Sequence, residues 1–183
     1  KKANDTIWRY GILQSLYGAV LRGKLPMFIQ QFLRDRIFRT QIGSETSTVH
    51  TLEQGVPQGS VLSCNLFSLA VIGILSVIPG RQGITFVDDL SLYCRGSYLS
   101  SMERRMQCVV YKISTWAASH GFTFSPQKTN CIHFYRKRLF QPLLKLMLND
   151  VIIPCRESIT YLGMIFEHKM SWKEHTMKLK YDC

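Results

Sequence analysis

The run from Val61 to Ile78, VLSCNLFSLAVIGILSVI, holds eighteen residues without a charged side chain. Any fold this chain adopts has to hide that run from water. Its length approaches the roughly 20 apolar residues that a helix needs to cross a bilayer. Ser60 precedes it, Ser63, Asn65, Ser68 and Ser76 interrupt it, and Pro79-Gly80 ends it abruptly. A helix buried in a globular core accounts for these features better than a membrane anchor over 61–78, which stands as the rival reading. With 183 residues, 46% of them hydrophobic, the chain can build one domain with a real core and is short for two.

The flanking segments read as interleaved helices and strands. From Asp5 to Leu25, apolar residues at Ile7, Trp8, Ile12, Leu13, Leu16, Tyr17, Val20 and Leu21 form one helical stripe, closed at Gly23. Pro26 opens a second helix, PMFIQQFLRDR. IFRTQIG and STVHTLE alternate around Gly43-Ser44-Glu45 as a two-stranded ribbon. The loop GVPQGS enters the apolar helix, and FVDD sits at the tip of a hairpin. A helix from Leu99 to His120 buries Met102, Met106, Val109, Val110, Ile113 and Trp116, with Gly121 as its cap. NCIHFY is a strand, LKLML and VIIPC form a hairpin about Asn149-Asp150, ITYLGMIF is a further strand, and SWKEHTMKLK is a basic helical end. The predicted class is α+β or mixed α/β with an antiparallel sheet.

Lys plus Arg outnumber Asp plus Glu by 23 to 12, giving a net charge of +11 spread along the chain, so a polyanion is the natural partner. An anionic membrane surface and a merely basic surface are the other readings of that charge. The cysteines at 64, 94, 108, 131, 155 and 183 lie too far apart for a CxxC metal knuckle or a dense disulfide framework, and read as reduced thiols of an intracellular protein. His50, His120, His133, His168 and His175 form no close pair on one face, which argues against zinc. The opening KKANDTIWRYG has no apolar core of a signal peptide and does not begin with Met, as in a fragment or a processed piece.

Two adjacent carboxylates, Asp88 and Asp89, lie between Phe86-Val87 and Leu90-Ser91-Leu92. One reading is a polar turn with both groups solvated, since Asp is common in turns. The other is that the apolar neighbours press the pair into a sheet interior, where like charges need a counter-cation. Mg²⁺ suits that role, because it takes one or two carboxylates together with substrate phosphates and water. In GVPQGS, Gly55 and Gly59 permit positive φ or close backbone approach, Pro57 stiffens the turn, Gln58 offers a donor and an acceptor, and Ser60 can cap the next helix.

The order of these segments resembles the reverse transcriptases of non-LTR retrotransposons. ANDTIWRYGIL is similar to the end of their first palm motif, GVPQGSVLSCNLF to the second, FVDDL to the catalytic aspartate box, GFTFSPQKTNCIHF to the lysine motif and YLGMIFEHKMSWKEH to the Tyr-Leu-Gly element near the primer grip. The resemblance spans essentially the whole chain. It implies a polymerase palm, an antiparallel sheet backed by helices, with incomplete fingers and thumb, beginning inside the first motif and ending just after the Tyr-Leu-Gly element. It further implies nucleotidyl transfer from a deoxynucleoside triphosphate to a DNA primer 3′-hydroxyl on an RNA template, with two Mg²⁺ ions, or Mn²⁺ in their place. Asp88 and Asp89 would be metal ligands, Gln58 and Gly59 would contact nucleotide or template, Phe86 would support the hairpin, and Lys128 would protonate or steady the leaving pyrophosphate. The alternative for Lys128 is a solvated side chain in the polar turn SPQKT.

Departures from the family pattern accompany the likeness. The metal-binding aspartate of the first motif would fall two residues before Lys1, Asn4 stands where an aromatic residue faces the sugar, and Cys64 replaces a proline. Asp5 reads as a cap or hydrogen-bond acceptor and Trp8 as core. These 183 residues alone are accordingly expected to be inactive, and to act inside cells in a cytoplasmic ribonucleoprotein or the nucleus without stable membrane association. The rival to an enzyme is a degenerate, non-catalytic transposon remnant that only binds nucleic acid.

Overall fold

The computed structural model describes residues 7–18, 21–57, 59–135 and 144–182. They divide into two compact units, one of residues 1–93 and 115–123, the other of residues 94–114 and 124–183.

In the first unit, helix α1 (Arg9–Gly18) is shorter than its stripe predicts, and α2 (Lys24–Leu33) holds Pro26 buried in its first turn. Gly23 does not close the first helix, which stops at Gly18; it is the N-cap of α2, with φ +84°, a left-handed backbone that only glycine adopts without cost. Strands β1 (Arg36–Phe38) and β4 (His50–Leu52) pair antiparallel, and β2 (Gln41–Ile42) with β3 (Glu45–Thr46) closes the ribbon at Gly43, as the alternation predicts.

The uncharged run folds as α3 (Val61–Ile72) followed by a tighter 3₁₀ segment, Gly73–Val77. Twelve helical residues extend about 18 Å, well short of a hydrocarbon layer of about 30 Å. Among the described residues no helix is long and apolar enough to cross a membrane, which overturns the anchor over 61–78. One face of the run is buried by protein instead, while Val61 and Ile72 on it stay exposed. Leu66, Phe67 and Ala70 of α3 join Ile7, Ile12, Leu16, Ile29, Leu33 and Val56 in one buried cluster.

Strands β5 (Gly83–Phe86) and β6 (Asp89–Leu92) form the hairpin read from FVDD. Its root is packed tightly: a Cβ on Gly83 would lie 2.7 Å from Ile78 Cδ1 and 3.4 Å from Leu92 Cδ2.

Helix α4 (Leu99–Ser119) ends as Gly121 predicts. The Phe122 N–H donates to Ala117 O at 2.8 Å and the Gly121 N–H to Ala118 O at 3.4 Å, with Gly121 at φ +76°, a Schellman cap. Trp116 stacks on Phe122 at 6.0 Å, closing the cap with an apolar contact.

In the second unit, β8 (Leu146–Leu148) and β9 (Val151–Ile153) pair antiparallel about Asn149 and Asp150, at φ +48° and +62°. Positive φ at both positions matches the twist of the strands, so the Asn-Asp signal reads correctly. Gln107 of α4 brackets Met147 on β8, donating to its carbonyl at 2.9 Å and accepting from its N–H at 2.8 Å. A side chain thereby takes the place of a neighbouring strand.

Two sequence expectations need correction here. ITYLGMIF is not one strand but a hairpin, β11 (Ser158–Tyr161) and β12 (Met164–Glu167), turning at Leu162 and Gly163 with φ +49° and +82°. NCIHFY contributes only β7 (Cys131–Ile132), and it pairs in parallel with β10 (Cys155–Arg156). Helix α5 (Lys173–Asp182) is the basic end. Among the described residues the strands form two-stranded ladders, five antiparallel and one parallel, within a mixed helix and strand fold.

Candidate active site

The glycine loop is held from beneath by the first helix. Arg9 donates from Nε to Gly55 O at 3.1 Å and from Nη2 to Gln54 O at 3.3 Å, and the Gly55 N–H donates to Ile7 O at 2.9 Å. Gly55 and Gly59 have φ +84° and +92°, so both need the freedom that a Cβ would remove. Gly55 and Val56 are buried, which seats the loop in the core. Burial first, and Arg36 second, hold the Arg9 guanidinium below its ordinary pKa.

Ser60 occupies the N-cap position of α3 with an extended backbone, but its hydroxyl makes no capping bond. The hydroxyl that ties loop to helix belongs to Ser63, which donates to the Pro57 carbonyl. Arg9 and Ser63 were not singled out by the sequence reading. The legible signal for Arg9 is a lone cation within the apolar start of a helix. Gln58 and Asn4, proposed from sequence to contact nucleotide or template, lie outside the described residues, as does Asp5.

The acidic pair sits at the far end of the β5–β6 hairpin. Phe86 pairs with Asp89 as the last rung, and Val87-Asp88 forms the two-residue turn. Val87 has φ +51°, which a β-branched side chain resists and which costs on the order of 1–3 kcal/mol. Asp88 and Asp89 are exposed, as are Phe86 at 56% and Val87 at 59%. Contrary to the expectation from sequence, the apolar neighbours do not press the pair into a sheet interior. Among the described residues no third strand flanks the hairpin, so its tip meets solvent on both faces.

Neither carboxylate has a hydrogen bond or ion pair among the described residues. Two free, hard oxygen donors suit Mg²⁺, which accepts a pair of carboxylates and completes its shell with phosphates and water. Among the described residues no group of three His, Cys, Asp or Glu converges to hold a metal. The pair thus fits as half a site.

Lys128 belongs to the second unit. It ends the exposed turn Pro126 to Lys128, with its N–H donating to Ser125 O at 3.2 Å and Thr129 Oγ1 donating to the same oxygen at 2.8 Å. The backbone is fixed while the side chain is exposed, with no ion pair among the described residues.

The profile of the family described as "Reverse transcriptase (RNA-dependent DNA polymerase)" matches residues 1–166. The chain belongs to the reverse transcriptase family. Its relatives include the "Probable RNA-directed DNA polymerase from transposon X-element" of Drosophila melanogaster, 26% identical over 98% of this chain and 20% of that protein. The "Probable RNA-directed DNA polymerase from transposon BS" of the same fly is 24% identical over 96% of this chain and 20% of its own length. The fly's "RNA-directed DNA polymerase from mobile element jockey" is 21% identical over 98% of the chain and 20% of that protein. These matches bear out the likeness to non-LTR retrotransposon reverse transcriptases read from the motifs. This reverse transcriptase chain spans about a fifth of the length of those relatives.

Proposed function

We propose that this chain is the palm of an RNA-directed DNA polymerase of a non-LTR retrotransposon, transferring a deoxynucleotide to a primer 3′-hydroxyl on an RNA template. The observation that carries the reading is the solvent-open Asp88-Asp89 pair at the tip of a strained two-residue hairpin, in a chain whose family profile runs through both residues. A pair of carboxylates without partners among the described residues holds its donors ready for a substrate that brings its own phosphates.

In this reading Asp88 is the principal ligand for Mg²⁺, or for Mn²⁺ in its place, with Asp89 beside it. When bound, two such ions supply charge stabilisation to the attacking and leaving oxygens. The residues of the chain do the rest. Phe86 and the ladder behind it keep the turn in place, and Gly59, with Gln58 and Asn4, faces nucleotide or template. Lys128 offers a positive charge or a proton to the departing pyrophosphate. The loop at Gly59 is kept in register by Arg9 and Ser63. RNA template, DNA primer and deoxynucleoside triphosphate are the partners, and a palm sheet backed by helices is the architecture.

The test pairs two measurements. Mn²⁺ titration followed by paramagnetic water relaxation should reveal a site that Asp88→Ala loses, and identical curves for both proteins would return the pair to a polar turn. Mg²⁺-dependent extension of a DNA primer on an RNA template, measured in the element's full-length protein, should vanish with Asp88→Ala. Extension that survives the substitution would overturn the assignment, and metal binding without extension would favour the non-catalytic remnant.

A further inference from the structure

The polymerase reading uses none of the cysteines, yet among the described residues all but Cys64 fall in the second compact unit, and three of them, Cys94, Cys131 and Cys155, are half-buried there. Cys131 and Cys155 are direct partners across the parallel ladder of β7 and β10. The register is anchored by the Cys131 N–H, which donates to Pro154 O at 3.0 Å. Neighbouring strands run about 4.8 Å apart, inside the range of roughly 4.4–6.8 Å that Cα atoms span across a disulfide. Both side chains are half-buried, and each lies within the electrostatic reach of the other. Cys94 is directed elsewhere, its thiol donating to Met102 O at 3.9 Å. Because no three His, Cys, Asp or Glu among the described residues converge on a metal position, the chemistry open to the pair is that of a dithiol.

We propose that Cys131 and Cys155 form a redox-active dithiol, a modification site that a peroxide converts reversibly to a disulfide. Roles within the pair follow from their environments. Burial, then Cys155, push the Cys131 thiol up to about 12, so at neutral pH it stays protonated. Cys155 is then the attacking sulfur. Its proton goes to solvent, and its thiolate takes one oxygen from hydrogen peroxide, releasing hydroxide and leaving a sulfenic acid. The Cys131 sulfur attacks that sulfenic sulfur, the S–O bond breaks, and water leaves carrying the Cys131 proton. In net terms two thiols and one peroxide give one disulfide and two waters, with sulfur oxidised and peroxide oxygen reduced. The new bond staples β7, three residues beyond Lys128, to β10, and so stiffens the strand on which the lysine turn rests.

The test exposes the folded chain to hydrogen peroxide at neutral pH, then blocks free thiols and maps peptides. The expected result is a loss of two hydrogens in intact mass and a linked pair of peptides carrying Cys131 and Cys155, both reversed by dithiothreitol. Cys94→Ser should retain the link, while Cys131→Ser and Cys155→Ser should each lose it. Circular dichroism melts show whether each variant is folded, and the wild-type map decides the matter where one is not. Recovery of Cys131 and Cys155 as blocked free thiols would overturn the proposal. So would a link from either to Cys94, or oxidation confined to the exposed Cys64 and Cys108.

Discussion

Arg9 Nε lies 3.1 Å from the carbonyl oxygen of Gly55, a bond that joins the first helix to a loop 46 residues further along the chain. A second bond from the same guanidinium reaches Gln54, so one planar fork grips two successive carbonyls. Arg9→Ala should destabilise the chain by about 1.5 kcal/mol in urea unfolding, the low end of the range for hydrogen bonds to charged groups because Arg9 is only half-buried. Arg9→Lys should recover only part of it, because an ammonium cannot span both acceptors. Equal stability of all three proteins would mean that the loop holds its shape without the arginine.

Val87 carries the strain of the acidic turn. Val87→Gly should stabilise the chain by about 1 kcal/mol, since glycine occupies φ +51° freely, whereas Val87→Ala should bring little relief. Chemical denaturation of the three proteins checks this. A loss of stability in the glycine variant would show that the side chain contributes more through contacts than its backbone costs.

Glu167 makes the start of α5 sensitive to pH. Its carboxylate accepts from Ser171 Oγ, from the Lys173 N–H at 3.1 Å and from the Glu174 N–H at 3.4 Å. The Ser171 hydroxyl above all, opposed by a smaller desolvation, and then the two amides hold its pKa below the ordinary 4.5. The folded value is the lower one, so the stabilisation is complete above pH 4.5 and is lost as pH falls through the folded pKa. Amide exchange at Lys173 and Glu174 should accelerate over that interval. In Glu167→Gln the same amides should exchange with no added step there, and a step that persists would assign the effect to another group.

Nucleic-acid affinity should come chiefly from phosphate contacts, as a net charge of +11 spread along the chain implies. The logarithm of the association constant should then fall by about 0.7 to 0.9 per log unit of salt for each phosphate neutralised. Fluorescence anisotropy with primer-template and with an unrelated duplex, over a salt series, checks both the slope and the weak sequence dependence. A flat salt response would mean that the charge serves something else.

Local chemistry was legible without a structure wherever a signal acts over a few residues. Asn149-Asp150 announces its own turn because both residues tolerate left-handed backbone, and Gly121 announces the end of α4 for the same reason. The uncharged run at 61–78 demanded burial whatever its partners, and the motif order carried the family. The strain at Val87 left no mark on the sequence, since a β-branched residue is normally a strand former. The Leu162-Gly163 turn was hidden inside an apolar run, because periodicity does not separate one long strand from two short ones folded together. Exposure of Asp88 and Asp89 was beyond reach for a different reason. Whether a hairpin is buried depends on which strands lie beside it, and the described residues place none there. Long-range partners belong to the same class. The grip of Arg9 on Gly55 and the pairing of Cys131 with Cys155 exist only because packing returns distant stretches of chain to one place, and no spacing rule in the sequence records that return.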